Sequence, residues 1–482
     1  MSLHAQLSPE AKARLEKQRR VSTISSIVIS LLVILLIGLI LGFIFLPSMF
    51  KEDVVIVSYA SPSEDNQDIK QQKVTNAVQR KPSAPSQSMA KVIAANTNSP
   101  TSVPVPDIDV PEPSMDFGDS MDFGDGWGSG GDGGGGGGFG GIPGSMKKRC
   151  SKEDRMERLL NNGGTEQCEE AVLKSLRWLQ KRQNEDGSWN NRDQVAMTGF
   201  ALLAYLGHCE TPLSPEFGDT VTRAIIYLVD GGMKDDGFLR SRENGHREVY
   251  EHGIANYALA EAYTFCSQLS INIPNLAEVT RKAGDIIREG QTSRGGWVYG
   301  YKDGGGDNSV GFWQIQALKA CKHTKLWKDR ELEKTADKAL SWLTKVQGSN
   351  GTFGYRGNPS KRPMLTGGGV LAFQMWGKAR SKEARNGVEY IHKNSPFDWN
   401  DHSSNLYYHY YHAQAMINHG GQEWKEYNGR FRDELLENQQ ADGSWPKRGI
   451  KHGAINTHMS TCLATFMLEV YYRFLPATGS AT

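Results

Sequence analysis

The sequence predicts an all-α protein whose main body is an (α/α)6 toroid of six helix pairs, preceded by one transmembrane helix and a disordered linker rich in glycine and proline. Three observations support this prediction: a long apolar segment without charge, a compositionally biased segment after it, and an aromatic-ended motif that recurs through the remainder. The predicted boundaries are a basic amino terminus (1–22), a membrane helix (23–48), a linker (49–148) and the toroid (149–478).

The apolar segment near the amino terminus is long enough to cross a bilayer. No charged side chain occurs between Val21 and Phe50, and about 20 apolar residues in a helix span the hydrocarbon core. A cleavable signal peptide is the alternative, but its apolar region is normally shorter and no small-residue cleavage site follows Leu46. Basic residues precede the segment, which predicts a cytoplasmic amino terminus and an extracytoplasmic, periplasmic toroid. The lipid bilayer is therefore the first predicted partner.

The linker combines low hydrophobicity with abundant glycine and proline. Such a composition cannot offset the entropy of ordering, so it predicts disorder. A tandem Met-Asp-Phe-Gly-Asp at 115–119 and 121–125 is interpretable as a docking motif or as an acidic spacer. The formal net charge of the 482 residues is +1 and no basic stripe occurs, so nucleic acid is not a predicted partner.

The cysteines fit an extracytoplasmic toroid without proving it. Cys150 and Cys168 flank the polar start of the toroid, and a disulfide between them could close a short loop there. The sequence alone does not establish this pairing. The other four cysteines lie in apolar stretches and are expected to be buried free thiols: Cys209, Cys266, Cys321 and Cys462.

An aromatic-ended motif recurs through the predicted toroid. Two copies read Gln-x-x-Asp-Gly-Ser-Trp, and two looser copies keep the glutamine, the glycine and a final aromatic residue. With degenerate copies that end at Phe238 and Trp399, six units result, spaced by 46 to 59 residues. The glycine can take the positive φ that a turn requires, so the motif is predicted to be structural. Its residues in the tryptophan-ended copies are Gln183, Gly187, Trp189, Gln291, Gly295, Trp297, Gln439, Gly443 and Trp445.

Each unit has the same pattern of two helices. The helix before the motif is amphipathic, as shown by the stripe of Val172, Leu176 and Leu179. The helix after the motif is apolar nearly all round and must therefore be buried. These apolar helices are predicted at 196–206, 254–263, 309–318, 368–376, 407–416 and 458–472. The alternation predicts an inner ring enclosed by an outer ring, and closure is favoured over an open solenoid because polar end caps are lacking.

The motif resembles the QW repeat of squalene and terpene cyclases, and related repeats build protein prenyltransferase β-subunits. The resemblance covers Cys150 to Pro476. It extends in particular to membrane-anchored prenyltransferase/squalene-oxidase-repeat proteins of planctomycete-type bacteria, through stretches such as His252-Gly-Ile-Ala255 and Asn405-Leu-Tyr-Tyr-His409. This resemblance implies a central cavity that faces one rim of the toroid.

The resemblance makes Asp307 a candidate catalytic acid. Class II terpene cyclases protonate an alkene with the middle aspartate of Asp-x-Asp-Asp, at the start of an inner helix, which requires a neutral carboxylic acid in a dry pocket. Here Gly305 and Asn308 replace the first and last aspartates. Asp307 also stands where it would cap the helix ahead of Val310, and the departures from the motif favour this structural role.

The sequence contains no motif that matches the zinc site of prenyltransferases. Zinc in prenyltransferases is held by Asp, Cys and His, but no Asp-x-Cys is present. His458 and Cys462 could share a helical face, as could His409 and His412, but neither pair has a matched third ligand. No metal and no cofactor is therefore predicted.

Aromatic and ionisable side chains on the inner helices are the remaining candidates for a cavity. Aromatic faces stabilise carbocations, bind sugars or simply fill cores. The predicted cavity-lining residues are Trp313, Trp376, Tyr407, Tyr408, Tyr411 and Glu251. Glu261 and His252 are further candidate acid or base groups, since a carboxylate among apolar residues needs either a function or a buried bond.

The preserved repeat and the degraded acid motif together predict a membrane-anchored toroid that binds a ligand or partner without standard cyclase chemistry. The candidate ligands are an isoprenoid, a glycan or a protein. The alternatives are a divergent class II terpene cyclase with Asp307 as acid, a carbohydrate-active toroid that uses Glu251 or Glu261, and a scaffold in the bacterial envelope. A deep, dry cavity with Asp307 facing it would favour the cyclase, whereas an open cleft with carboxylates and aromatic platforms would favour sugar chemistry.

Overall fold

A computed structural model describes residues 55–56, 149–241, 247–301, 304–328, 330–401, 404–447 and 456–473. The predicted membrane helix (23–48) and nearly all of the predicted linker lie outside these residues. Among the residues described, no helix combines the length and the apolar character needed to cross a membrane. The membrane anchor and the extracytoplasmic location therefore stay predictions.

Thirteen α-helices make up most of the described chain, and twelve of them form six consecutive pairs. A short helix, α1 (Lys152–Asn161), precedes the pairs. The outer helices are α2 (Glu166–Gln180), α4 (Gly218–Lys234), α6 (Leu276–Glu289), α8 (Glu331–Val346), α10 (Lys382–Asn394) and α12 (Gly421–Glu437). The inner helices are α3 (Gln194–Gly207), α5 (Glu248–Gln268), α7 (Asn308–His323), α9 (Thr366–Met375), α11 (Leu406–His419) and α13 (Thr457–Arg473). The strands described, β1 (Val55–Ile56) and β2 (Ile271–Asn272), are two residues long and pair in parallel.

The distribution of apolar residues explains which helix of each pair is enclosed. In the inner helix α3, every residue from Val195 to Gly207 is buried. In the outer helix α6, buried residues recur every three or four positions, as at Val279, Ala283 and Ile287, so that only one stripe faces the inner ring. Full burial of a large apolar side chain contributes about 1.5–3 kcal/mol. The inner ring is therefore the main source of stabilisation.

The six inner helices form a closed ring. Helix α3 packs on α5, α5 on α7, α7 on α9, α9 on α11 and α11 on α13, and α13 packs back on α3. The outer helices also close, because Gln439, after α12, donates Nε2 to Ala171 O of α2 at 2.8 Å. Trp178 Nε1 of α2 donates to Asp442 at 2.9 Å across the same junction. The predicted (α/α)6 toroid is confirmed, and an open solenoid is excluded.

The recurring motif joins neighbouring outer helices at four junctions of the ring. In four copies the glutamine Nε2 donates both to the carbonyl of the motif glycine and to a carbonyl near the start of the following outer helix. Gly187 has a φ of +87°, and a Cβ on it would lie 2.4 Å from Arg223 O, so only glycine fits there. The indoles donate to carbonyls ten residues earlier, each at 2.8 Å; they belong to Trp189, Trp297 and Trp445.

The Cys150–Cys168 pairing, which the sequence left open, does not form. Cys150 is bonded to Cys209, and Cys168 is a buried free thiol. Helix α1 separates Cys150 from Cys168, and the Cys168 sulfur instead contacts Thr165 at the start of α2. Cys209 is not the free thiol that was predicted, because α3 ends at Gly207 and Cys209 lies in the turn that follows.

Candidate ligand cleft

A cleft of about 290 Å³ opens at one end of the ring. It is lined by residues from the first turns of the inner helices and from the segments that precede them. All these helices therefore begin at the same end of the toroid. The apolar part of the lining is formed by Ala196, Met197, Phe200, Ile254, Leu365 and Met459.

Aromatic side chains form the floor of the cleft and fill the ring below it. Trp313 lines the cleft and stacks on Tyr410, with ring centroids 5.5 Å apart and an interplanar angle of 10°. Phe200 meets the edge of Trp313 at 5.4 Å. Tyr411 is fully buried against Trp313 and does not line the cleft, whereas Tyr407 does. Since Trp313 is 0% exposed, these aromatic residues serve as a core beneath the cleft.

A chain of hydroxyl groups crosses one wall of the cleft. The Tyr250 hydroxyl lies 2.6 Å from Ser309 Oγ and 3.1 Å from the Tyr299 hydroxyl. Tyr407 donates to Ser309 O at 3.1 Å and accepts from Trp313 Nε1 at 2.9 Å. These bonds fix the orientation of the three tyrosine rings that face the cleft.

Asp307 stands behind this wall and does not line the cleft. Its Oδ1 accepts from Ser309 N at 3.1 Å, as an N-cap of α7, and from Ser309 Oγ at 2.6 Å. Its Oδ2 is 3.3 Å from Arg356 Nε. Both oxygens are therefore engaged, and the geometry is that of a helix cap.

Two carboxylates and a guanidinium group form a second wall. Asp193 is ion-paired with Arg247, and both line the cleft. Glu251 is 4% exposed and accepts from the Ser241 backbone N–H at 3.1 Å and from the Ser241 hydroxyl. Burial raises the pKa of Glu251, and the neighbouring charge of Asp193 acts in the same direction. Glu251 is thus protonated more readily than an exposed glutamate.

Glu261 lies at the opposite end of the ring, near the last turns of the inner helices. Its carboxylate is 3.2 Å from both Arg149 Nη2 and Arg473 Nη2. Burial disfavours its charge, yet Arg473 and Arg149 hold the pKa of Glu261 below its ordinary value. The ion pairs with the two arginines explain why a carboxylate is buried at this position, and Glu261 does not reach the cleft.

His252 and Trp376 also lie away from the cleft. His252 Nδ1 accepts from Leu239 N at 3.0 Å, and its Nε2 donates to Ala283 O at 2.9 Å. Burial lowers the pKa of His252 to about 4, so the ring is a neutral packing group between α5 and α6. Trp376 follows α9 at the far end of that helix and lies under Lys319 Nζ, at 5.2 Å.

The histidine pairs noted in the sequence are engaged in packing. His458 Nε2 is 2.9 Å from Met197 O and 3.6 Å from Cys462 Sγ, and His412 Nε2 is 2.9 Å from Met364 O. In the part of the chain that the structure describes, no group of three or more His, Cys, Asp or Glu side chains could hold a metal ion.

Several cleft residues were not singled out in the sequence. They are Asp193, Arg247, Tyr250, Tyr299 and Arg362. All but Tyr299, which lies in a 3-10 turn (Tyr299–Tyr301), are at the start of an inner helix or a few residues before one, where the apolar pattern has not yet begun. Polar or aromatic residues just before the apolar helices could have indicated the cleft in the sequence, because the inner helices all begin there.

The fold and the cleft define the class of the protein, a closed double ring of α-helices with a cleft at one end. No protein-family model matches the sequence, and no curated protein is significantly similar to it. Among solved structures, an alpha-1,6-mannanase from Salegentibacter sp. HEL1_6 aligns with a TM-score of 0.47 and 12% identity, over 63% of this chain and 98% of that chain. A variant of the type II terpene cyclase MstE from Scytonema, bound to geranylgeranyl dihydroxybenzoate, aligns with a TM-score of 0.42 and 13% identity. This alignment covers 64% of the present chain and 98% of the cyclase chain. The assignment of an (α/α)6 toroid rests on the helix packing of this chain itself.

Proposed function

We propose that the toroid binds a small hydroxylated ligand of the carbohydrate class in the cleft. The observation that carries the proposal is the combination of aromatic faces with hydrogen-bonding groups in one open cleft. Tyr408 is half-buried at the cleft, while Asp193 and Arg247 supply acceptors and donors beside it. A sugar has apolar faces and hydroxyl edges, which such a mixed lining complements.

The size of the cleft supports a small ligand over a long isoprenoid. A volume of about 290 Å³ lies at the lower end of the range of about 300–1,000 Å³ that is usual for ligand pockets. Aromatic side chains fill the ring below Trp313, and Asp307 lies outside the cleft with both oxygens engaged. A cyclase with Asp307 as its acid is therefore the less supported alternative.

Titration calorimetry with the full-length protein in detergent tests the binding. The probes are glucose, mannose and maltose, with farnesol as the isoprenoid. Tyr408→Ala should weaken sugar binding at least about tenfold, which corresponds to about 1.4 kcal/mol, because a ring face is lost. Tyr390→Ala on the outer helix α10 is the matched control and should bind as the wild type does. Binding of farnesol without binding of any sugar would contradict the proposal.

Glycoside cleavage is a second candidate function, favoured by Glu251. Glu251, whose pKa burial raises, and a second carboxylate, Asp193, line the same cleft, and glycoside hydrolysis uses two carboxyl groups. Release of reducing sugar by the wild type, and its loss in Glu251→Gln and Asp193→Asn variants that still bind sugar, would support this activity. A wild type that binds sugars without cleaving them would reject it.

The proposal also places the toroid outside the cytoplasm, tethered by the predicted membrane helix, as the resemblance to the membrane-anchored repeat proteins implies. The Cys150–Cys209 disulfide supports an oxidising compartment. A reporter that is active only outside the cytoplasm, fused after Thr482, is expected to be active. Activity of a reporter restricted to the cytoplasm, fused at the same position, would contradict this location.

A further inference from the structure

We infer that the ligand of the cleft carries an anionic group that pairs with Arg362, so that the ligand class is an acidic sugar. This inference rests on the proposed carbohydrate-binding function. The shared chemistry is an oxyanion on a sugar ring, supplied by a carboxylate or by a phosphate ester. Arginine suits this role because its planar fork of N–H donors matches both groups.

Arg362 is the cleft guanidinium without a carboxylate partner. Arg247 is ion-paired with Asp193, and Arg356, just outside the cleft, is 3.3 Å from Asp307. Across the described ranges, no carboxylate lies within ion-pairing distance of Arg362, which is half-buried in the lining. Its guanidinium instead lies over the Tyr355 ring, 4.3 Å from the centroid. This contact is not a hydrogen bond, so within the described residues it leaves the N–H donors of Arg362 available to a ligand.

The charges that line the cleft do not cancel. Asp193 is compensated by Arg247 within the cleft itself. Glu251 is nearly fully buried and engaged by Ser241, and burial favours its neutral form. Among the described residues that line the cleft, Arg362 is therefore the one whose positive charge no carboxylate balances.

The backbone adds to this positive potential. The inner helices direct their amino-terminal ends at the cleft, and each such end carries a partial positive charge. Val195 N of α3 already donates to Ser241 Oγ at 3.0 Å, so the contribution of these helix ends to the cleft is their partial charge and not free N–H groups.

The backbone conformation of Arg362 indicates that its position is imposed by the surrounding structure. Its φ of 54° and ψ of 58° lie in the left-handed region, and Pro363 follows it. A residue with a side chain occupies this region at a cost, and such strain is concentrated at functional sites. Asp193, at the opposite wall of the cleft, is also left-handed, with a φ of 52°. Other non-glycine residues away from the cleft, such as Lys325 and Arg330, share this conformation.

Three sugars that differ only at carbon 6 test the inference: glucose, glucuronate and glucose 6-phosphate. We expect the full-length wild type to bind at least one acidic sugar about tenfold or more tightly than glucose, with a preference that shrinks as sodium chloride is added. Arg362→Gln should remove the preference, because it should weaken binding of the acidic sugar about tenfold or more and binding of glucose much less. Arg362→Lys keeps the charge without the planar fork and should retain part of the preference. Arg385→Gln on the outer helix α10 is the matched control, and melting temperatures verify that each variant folds.

The outcomes separate this inference from the proposed function. Equal affinity of the wild type for all three sugars would overturn the inference and leave carbohydrate binding intact. An acidic preference that survives Arg362→Gln would overturn the assignment to Arg362. Binding of inorganic phosphate that depends on Arg362, without binding of any sugar, would support the anion site and contradict the carbohydrate proposal. Which acidic sugar binds more tightly distinguishes a carboxylate from a phosphate ester.

Discussion

Four ionisable side chains, two of each charge, are buried at the end of the ring opposite the cleft. Glu261 pairs with Arg149 and Arg473, and Glu469 pairs with Arg473. Arg149, where the predicted linker meets the toroid, is 1% exposed and lies over the Phe265 ring. Since a buried charge without a partner is costly, these groups depend on one another.

Glu261→Gln should destabilise the toroid by about 3–5 kcal/mol, because Arg149 and Arg473 would lose a buried partner. The free energy of unfolding in urea measures the loss. Glu278→Gln removes an exposed pair with Lys282 and should cost less than about 1 kcal/mol. A Glu261 variant of unchanged stability would show that the ion pairs do not hold this end of the ring together.

Glu469 should make stability depend on pH. Burial raises its pKa to about 8, although Arg473, His208 and Arg149 favour its charged form. An unfolded glutamate has a pKa of about 4.3, so the folded state binds more protons between these two values. The stabilisation that protonated Glu469 provides is therefore complete below the pKa of the unfolded state. It is lost as pH rises through the pKa of the folded state. Above about pH 7 the free energy of unfolding should therefore fall up to about pH 9, whereas below it buried neutral histidines such as His252 act in the opposite direction because burial lowers their pKa.

Glu469→Gln is the control for this pH dependence, because the amide cannot ionise. His208 contributes in the same direction: burial opposes its charge, but hydrogen bonds to Glu169 and Glu210 raise its pKa. The decline should accordingly be shallower in the variant than in the wild type, and not absent. Superimposable pH profiles would show that Glu469 is ionised throughout the range.

At the scale of elements, the motif that joins neighbouring outer helices should carry stability of its own. Gln439→Ala removes the hydrogen bonds to Ala171 O and Gly443 O at the junction of α12 and α2. Two carbonyls then lose their donor, and we expect a loss of about 1–3 kcal/mol. Gln440→Ala, at an exposed neighbouring position, should stay within about 0.5 kcal/mol of the wild type. Equal melting temperatures for both variants would contradict the joining role.

The apolar pattern located the inner helices but missed where one of them begins. Helix α5 starts at Glu248, six residues before the predicted start at Ile254, because Glu248 and Glu251 interrupt the pattern. Glu251 and Tyr250 are residues that line the cleft. The local rule thus fails where polar groups occupy a buried helix start that lines the cleft.

At the scale of the whole molecule, the Cys150–Cys209 disulfide ties the start of the toroid to its ring. The bond closes a loop with a sequence separation of 59 residues, for which the chain-entropy relation gives about 4 kcal/mol. In thermal unfolding, a reductant should clearly lower the melting temperature of the wild type. The drop should be absent in Cys209→Ser and present in Cys266→Ala, whose thiol is free. A wild type that is insensitive to reductant would contradict this contribution.

The sequence by itself determined the alternation of enclosed and half-exposed helices, the six pairs and the glycine turns, because periodicity and turn chemistry are local properties. Only the tertiary structure decided the partner of Cys150 and the roles of Asp307 and Glu261. A polar residue among apolar neighbours has the same local pattern whether it faces a cleft, caps a helix or pairs in a core. Closure of the ring, which brings the starts of the inner helices to one end, is what places Asp193 and Arg362 in a common site.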